Sequence, residues 1–222
     1  MASRVIHYIV GLRITERVEL KTPERFFFGN ILPDCVDSPG GRKGGPKAKS
    51  HFWDIREKEH KKGTNWHLFW DKYESCREDE LYLGYMCHLV TDAVWGRDVI
   101  APIKEKGNEK KCTLEVLYRD YHRLNELLRE EFHPELPEMN WIENKIKEAD
   151  RSIWECYQQA LMDELEENTG AKREDLELID YDRILAFIDR AADIASEEIC
   201  AKRENRTGLD PVALYVPFRT EK

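Results

Sequence analysis

Apolar side chains recur at three- and four-residue intervals through most of the chain, and strict alternation is scarce, so helices are the expected elements. The spacing predicts a first helix over roughly 3–18, then a loop through Pro23. Phe26-Phe27-Phe28-Gly29-Asn30-Ile31-Leu32 reads as a short buried helix stopped by Pro33. Residues 34–50 are too rich in glycine and proline for regular structure and read as a loop. Helices follow over 64–75 and 78–96, with Leu81, Gly84, Tyr85, His88, Leu89 and Asp92 on adjoining faces of the second. Residues 113–132 carry the stripe Leu114, Leu117, Tyr121, Leu124 and Leu128. Pro134 and Pro137 separate that helix from another near 139–168, and the last spans 180–203. The tail, with Val212 to Phe218, is expected to pack in extended form. The reading is all-α: a single-domain multi-helix bundle over residues 1–222.

Length and composition support that reading. A chain of 222 residues can bury one substantial core, and 41% hydrophobic with 36% charged residues marks a folded globular protein. The net charge of −9 argues against a general nucleic-acid binder, so no stable nucleic-acid partner is expected. A metal site acting on phosphate esters is compatible with it, because the ion supplies local positive charge. No apolar run reaches the roughly 18 residues that would span a bilayer. The apolar stretch at the N-terminus is broken by His7 and followed by Arg13, Glu16 and Arg17, so it reads as mature structure of a cytoplasmic protein. Six cysteines without a CxxC pair read as free thiols used for packing. Cys35 and Cys87 adjoin candidate ligands and are alternative sulfur donors.

The candidate chemistry centres on Gly84-Tyr85-Met86-Cys87-His88-Leu89-Val90-Thr91-Asp92. His88 and Asp92 are four apart, on one face of a helix, within an apolar run. Buried imidazole and carboxylate groups need partners. His7, Asp34 and His51 lie in similarly apolar surroundings. Together these five form the kind of His/Asp set that zinc takes at a hydrolytic site. A lone HxxxD is weak by itself; the company of the other three strengthens it.

In order along residues 1–130, His7, Phe28-Gly29-Asn30-Ile31-Leu32-Pro33-Asp34, Lys49-Ser50-His51-Phe52 and Leu83 to Asp92 resemble the zinc-dependent phospholipase C family, which is related to the fungal single-strand nucleases. The resemblance implies an all-helical fold that hydrolyses phosphate esters with one to three zinc ions, manganese or iron being alternatives. It implies that Asp34, His51, His88 and Asp92 hold one zinc, and that Asp34 also orients or deprotonates the attacking water. His7 would bind a neighbouring metal bridged by Asp92. The secreted members complete that second site with an N-terminal tryptophan, where this chain has Met1-Ala2-Ser3. A third metal would use a histidine soon after the HxxxD, where this chain has Asp98, followed by an HxxxE pair. His122 and Glu126 have that spacing, with Asp120 as an alternative ligand. A solvated charged face beside the leucine stripe explains residues 120–126 equally well, and Asp98 fits a surface residue better than a ligand.

The expected function is metal-dependent hydrolysis of a small phosphate ester, a phosphodiester or phospholipid-like substrate, with Asp34 as the catalytic residue. Arg42, Lys43, Lys47 and Lys49 form a loop that offers cations to phosphate or is simply solvated. Trp53, Trp66 and Trp70 line a pocket or belong to the core. His60 and His67 read as ordinary residues, His67 being the better reserve ligand. The competing expectations are a helical protein with one structural metal, a binding module on the same scaffold, or an interaction protein without metal.

Overall fold

The computed structural model describes residues 1–36, 45–105, 113–135 and 139–218. Arg42, Lys43, Cys112 and Pro137 lie outside the described residues. The described chain is mostly helical and adds one small sheet.

The centre is α5, Glu80–Trp95, whose sixteen residues are all buried. Its sequence is apolar all round, which suits a helix enclosed on every side. The Asp79 carboxylate caps its first turn by accepting from the Leu81 amide. Around it pack α1 (Arg4–Thr15), α2 (Pro23–Ile31), α4 (Trp66–Tyr73) and α9 (Tyr181–Arg203). α2 and α5 approach with their backbones nearly touching. A Cβ on Gly84 would collide with the Phe26 carbonyl, and one on Gly29 with the Leu81 carbonyl. Glycine at both positions is what permits this crossing. Farther out, α7 (Leu114–Phe132) and α8 (Trp154–Glu166) pack on each other and on α1. Two one-turn helices, α3 (Pro46–Ser50) and α6 (Ala101–Glu105), complete the helical set.

The sequence reading misses a hairpin. β1 (Trp53–Arg56) pairs antiparallel with β2 (Lys61–Thr64), placing Trp53 opposite Thr64, and β3 (Val216–Pro217) adds to β2. The tail is thus extended only at β3; Pro211–Leu214 is a 3-10 turn. The helix expected from 139 begins only at the 3-10 turn Arg151–Ile153. The stretch before it satisfies its amides through distant groups. Lys145 and Lys147 donate to the Tyr82 and Tyr73 hydroxyls, and Asp150 donates to the Cys35 carbonyl. On α7, Tyr121, Leu124 and Leu128 are buried, but Leu114 is 71% exposed, so the first turn projects beyond the core. No helix among the described residues is long and apolar enough to cross a membrane.

Candidate metal centre

Four elements deliver the donors. His7 comes from α1, Asp34 from the 3-10 turn after α2, His51 from the residue after α3, and His88 and Asp92 from α5. All three imidazoles are fully buried, and Asp92 nearly so.

The α2–α5 crossing sets the first imidazole. With Gly84 one turn before His88 and Gly29 beside Asn30, the Asn30 carbonyl lies 2.8 Å from His88 Nδ1. A carbonyl can only accept, so Nδ1 carries the proton and Nε2 presents a lone pair. His51 repeats the arrangement. The Tyr85 hydroxyl, on α5, donates to the Ser50 carbonyl at 2.6 Å and fixes the end of α3. His51 Nδ1 then lies 2.8 Å from the Lys47 carbonyl. Its Nε2 faces His88 Nε2 at 3.1 Å.

The carboxylates close the group. His51 Nε2 is 3.4 Å from Asp34 Oδ1 and 3.4 Å from Asp92 Oδ2, while His88 Nε2 is 4.0 Å from Asp92 Oδ2. Lys47 Nζ, 2.8 Å from Asp34 Oδ1, and the Ala2 amide, 2.9 Å from Asp92 Oδ1, each meet one carboxylate oxygen, while the two Nε2 atoms and Asp92 Oδ2 face one another as acceptors that a proton or a metal ion would bridge. The spacing suits the metal. Ligands about 2.0–2.1 Å from a tetrahedral zinc stand about 3.3–3.4 Å apart, and three of the four separations quoted lie between 3.1 and 3.4 Å. Nδ1–H donation to a backbone carbonyl is also the usual support for a metal-binding histidine.

His7 lies on the other side of Asp92. Its ring stacks on His88 with centroids 3.5 Å apart and planes within 7°. Neither ring nitrogen makes a hydrogen bond, and Nε2 is 3.4 Å from Asp92 Oδ1. The two oxygens of Asp92 are divided: Oδ1 accepts from the Ala2 amide at 2.9 Å and faces His7, and Oδ2 faces His51 and His88. Two overlapping groups can hold a metal ion: His7, His88 and Asp92, and Asp34, His51 and His88. Burial, reinforced by His7, pushes the His88 proton affinity well below the usual imidazole range. Burial would raise the Asp34 carboxyl, but Lys47 outweighs it with help from His51 and His88, and holds it well below the usual carboxylate range.

A cavity of about 190 Å³ opens at this group. Its wall includes Asp34, Lys47, Arg4, Tyr118, Tyr121 and Tyr157. Lys47 Nζ is 2.8 Å from Asp34 Oδ1, and Arg4 is held by Glu164 through Nε and Nη2 at 3.1 and 2.6 Å. Sequence reasoning missed Arg4, Glu164, Tyr157 and the Asn30 carbonyl. Only Arg4 left a local signal, one turn before His7 on α1. The others reach the site from distant segments or through the backbone.

The remaining candidates lie elsewhere. Asp120, His122 and Glu126 fall outside both donor groups. The Asp120 carboxylate accepts from the amides of Glu177, Leu178 and Ile179. Glu126 accepts from the Thr169 hydroxyl and the amides of Thr169, Gly170 and Ala171. Both oxygen pairs are spent on the loop after α8. His122 is 48% exposed in its side chain and pairs with Glu167. It also lines the cavity. Asp98, in the π-type turn after α5, pairs with Arg190 at 3.0 Å.

Cys35 donates to the Asp150 carbonyl, and neither it nor buried Cys87 belongs to a donor group. Trp66 and Trp70 are core residues, whereas Trp53 is 37% exposed. His60 lies in the hairpin turn, and His67 lines a separate cavity. Lys49 donates its amide to Gly45 within α3, away from the cavity wall.

No family model, no curated protein and no solved structure matches the chain. The geometry of the centre therefore carries the functional argument.

Proposed function

We propose that the chain is a metal-dependent hydrolase of phosphate esters. The observation that carries the reading is the pair of Nε2 lone pairs turned towards each other by the Asn30 and Lys47 carbonyls, with Asp34 and Asp92 beside them. His51, His88, Asp34 and Asp92 would hold one ion, and His7 with Asp92 Oδ1 would hold a neighbour. An all nitrogen and oxygen donor set suits zinc, with manganese or iron as alternatives. The ordered motifs that resemble the zinc-dependent phospholipase C family support the same reading.

When bound, such a cation supplies a water of lowered pKa and polarises a phosphoryl oxygen. The chain's own residues would do the rest. Asp34, at the junction of donor group and cavity, would orient the attacking water and accept its proton. Arg4 and Lys47 would bind the anionic oxygens. Tyr118, Tyr121 and Tyr157 would narrow the cavity and exclude bulk water. A volume near 190 Å³ suits a small phosphate ester or the headgroup end of a larger one.

A second reading is a structural metal site. One observation favours it: two imidazoles and two carboxylates lie close enough in pairs to supply the four ligands of a closed structural site. Elemental analysis of protein purified without a histidine tag, paired with turnover of chromogenic phosphodiesters and phosphomonoesters, separates the two. Chelator-sensitive turnover with two ions per chain supports the hydrolase. One tightly held ion with no turnover supports the structural site.

A further inference from the structure

Lys47 stands where the donor group and the cavity meet, and it acts on both. Its carbonyl holds the proton on His51 Nδ1, at 2.8 Å. Its ammonium is 2.8 Å from Asp34 Oδ1. The same side chain forms part of the cavity wall with Arg4.

The charged wall contains two ion pairs of different kinds. Arg4 and Glu164 form a closed pair, with two guanidinium nitrogens on one carboxylate oxygen and Tyr157 beneath the guanidinium at 5.3 Å. Neither partner is a metal donor. Lys47 and Asp34 form a conditional pair, because Asp34 belongs to a metal-binding group. A metal ion on Asp34 and an ammonium on the same oxygen repel each other at short range. An ion that takes Asp34 therefore frees Lys47 from its counter-ion, and the space next to it is the cavity.

We propose that Lys47 is a metal-gated anion anchor, neutralising Asp34 until a metal ion takes that carboxylate and then turning its ammonium to a phosphate-class anion in the cavity. The proposal rests on the metal reading given above. It assigns Lys47 two effects of opposite sign. Lys47 competes with the metal for Asp34, and it strengthens anion binding once the metal is in place. Metal and anion are then linked reciprocally, each raising the affinity of the other by the same factor.

Titration calorimetry tests this directly. Zinc chloride alone is titrated into the metal-free wild type, Lys47→Met and Lys47→Gln. Inorganic phosphate is then titrated into each zinc-loaded protein. All three proteins keep the backbone carbonyl that orients His51. Both neutral variants should bind zinc about three- to tenfold more tightly, and their loaded forms should bind phosphate about tenfold more weakly, within the range of ordinary coupling factors. Lys47→Arg, which keeps the charge, should restore phosphate affinity. Zinc affinity that falls or stays level in both neutral variants overturns the competition, and unaltered phosphate binding overturns the anchor. A wild type that takes up no zinc defeats the metal reading itself. Zinc uptake by the wild type with unchanged behaviour in the variants defeats only the role of Lys47.

Discussion

Two stretches of this chain carry a histidine and an acid four residues apart on a helix, and they meet opposite fates. On α5, buried His88 and Asp92 face imidazole and carboxylate groups from three other elements. On α7, Glu126 is saturated by the amides and hydroxyl of the 169–171 loop, and His122 turns outward to Glu167. Spacing along one helix puts both pairs on one face. What separates them is how many carboxylate oxygens the N–H donors occupy: the Ala2 amide meets Asp92 Oδ1 and leaves Oδ2 to the imidazoles, whereas loop amides meet both oxygens of Glu126. A carboxylate with both oxygens held by backbone amides is an anchor, and one with an oxygen left facing imidazoles is a candidate ligand.

The sharpest way to break this comparison is to remove each member of the two pairs in turn. His88→Ala and Asp92→Asn should each lower zinc affinity by about 100-fold or more, since even supporting partners of metal ligands are worth 10- to 100-fold. His122→Ala and Glu126→Gln should leave zinc affinity unchanged. Competition against a fluorescent chelator reads all four, and equal losses in both pairs would erase the distinction.

The next effect is on folding. Gly84→Ala drives a methyl group into the Phe26 carbonyl and should cost about 3 kcal/mol, at the upper end of ordinary overpacking. Because the same crossing places the Asn30 carbonyl on His88 Nδ1, zinc affinity should fall with it. Chemical denaturation and zinc titration of one sample report both, and a stable variant with full zinc affinity would disconnect the crossing from the site.

The α7 anchors should matter for stability without touching the metal. Asp120→Asn turns a buried acceptor of three amides into a group that accepts through one oxygen, and should cost about 2 kcal/mol. Glu126 adds a pH signature. The Thr169 hydroxyl, against the effect of burial and with the loop amides, holds its folded pKa below the ordinary value. Its stabilisation is therefore fully present above the unfolded pKa of about 4.3 and is lost as pH falls through the folded value. Glu126→Gln should be less stable than wild type at neutral pH, and the gap should narrow in acid. A gap that stays constant down to pH 3 would remove the carboxylate from that account. The smallest effect belongs to His122→Ala, whose exposed pair with Glu167 should be worth under about 0.5 kcal/mol in thermal unfolding.

The sequence shows unequal parts of this picture. The helical periodicities of α1, α5, α7 and α9 are plain because each helix buries a continuous apolar face. His7, Asp34, His51, His88 and Asp92 stand out because each interrupts apolar surroundings, and the structure places them in two overlapping groups that share His88. The β1–β2 hairpin does not stand out, since Lys61-Lys62-Gly63-Thr64 has no alternation of apolar residues. Residues 139–150 carry apolar spacing that suits a helix, but Tyr73, Tyr82 and Cys35 capture their amides from afar. The anchoring role of Asp120 and Glu126 is invisible for the same reason: their partners lie more than forty residues away. Long-range backbone donors leave no trace in local spacing, and they decide which carboxylate oxygens remain to face other groups.

The central claim is that His51, His88, Asp34 and Asp92 converge on one cation. X-ray absorption at the zinc edge of the zinc-loaded protein tests it most directly. The account predicts a first shell of nitrogen and oxygen alone at about 2.0–2.1 Å, with the outer-shell scattering of at least two imidazoles. A sulfur shell near 2.3 Å, a single imidazole, or a spectrum of hydrated zinc would contradict it.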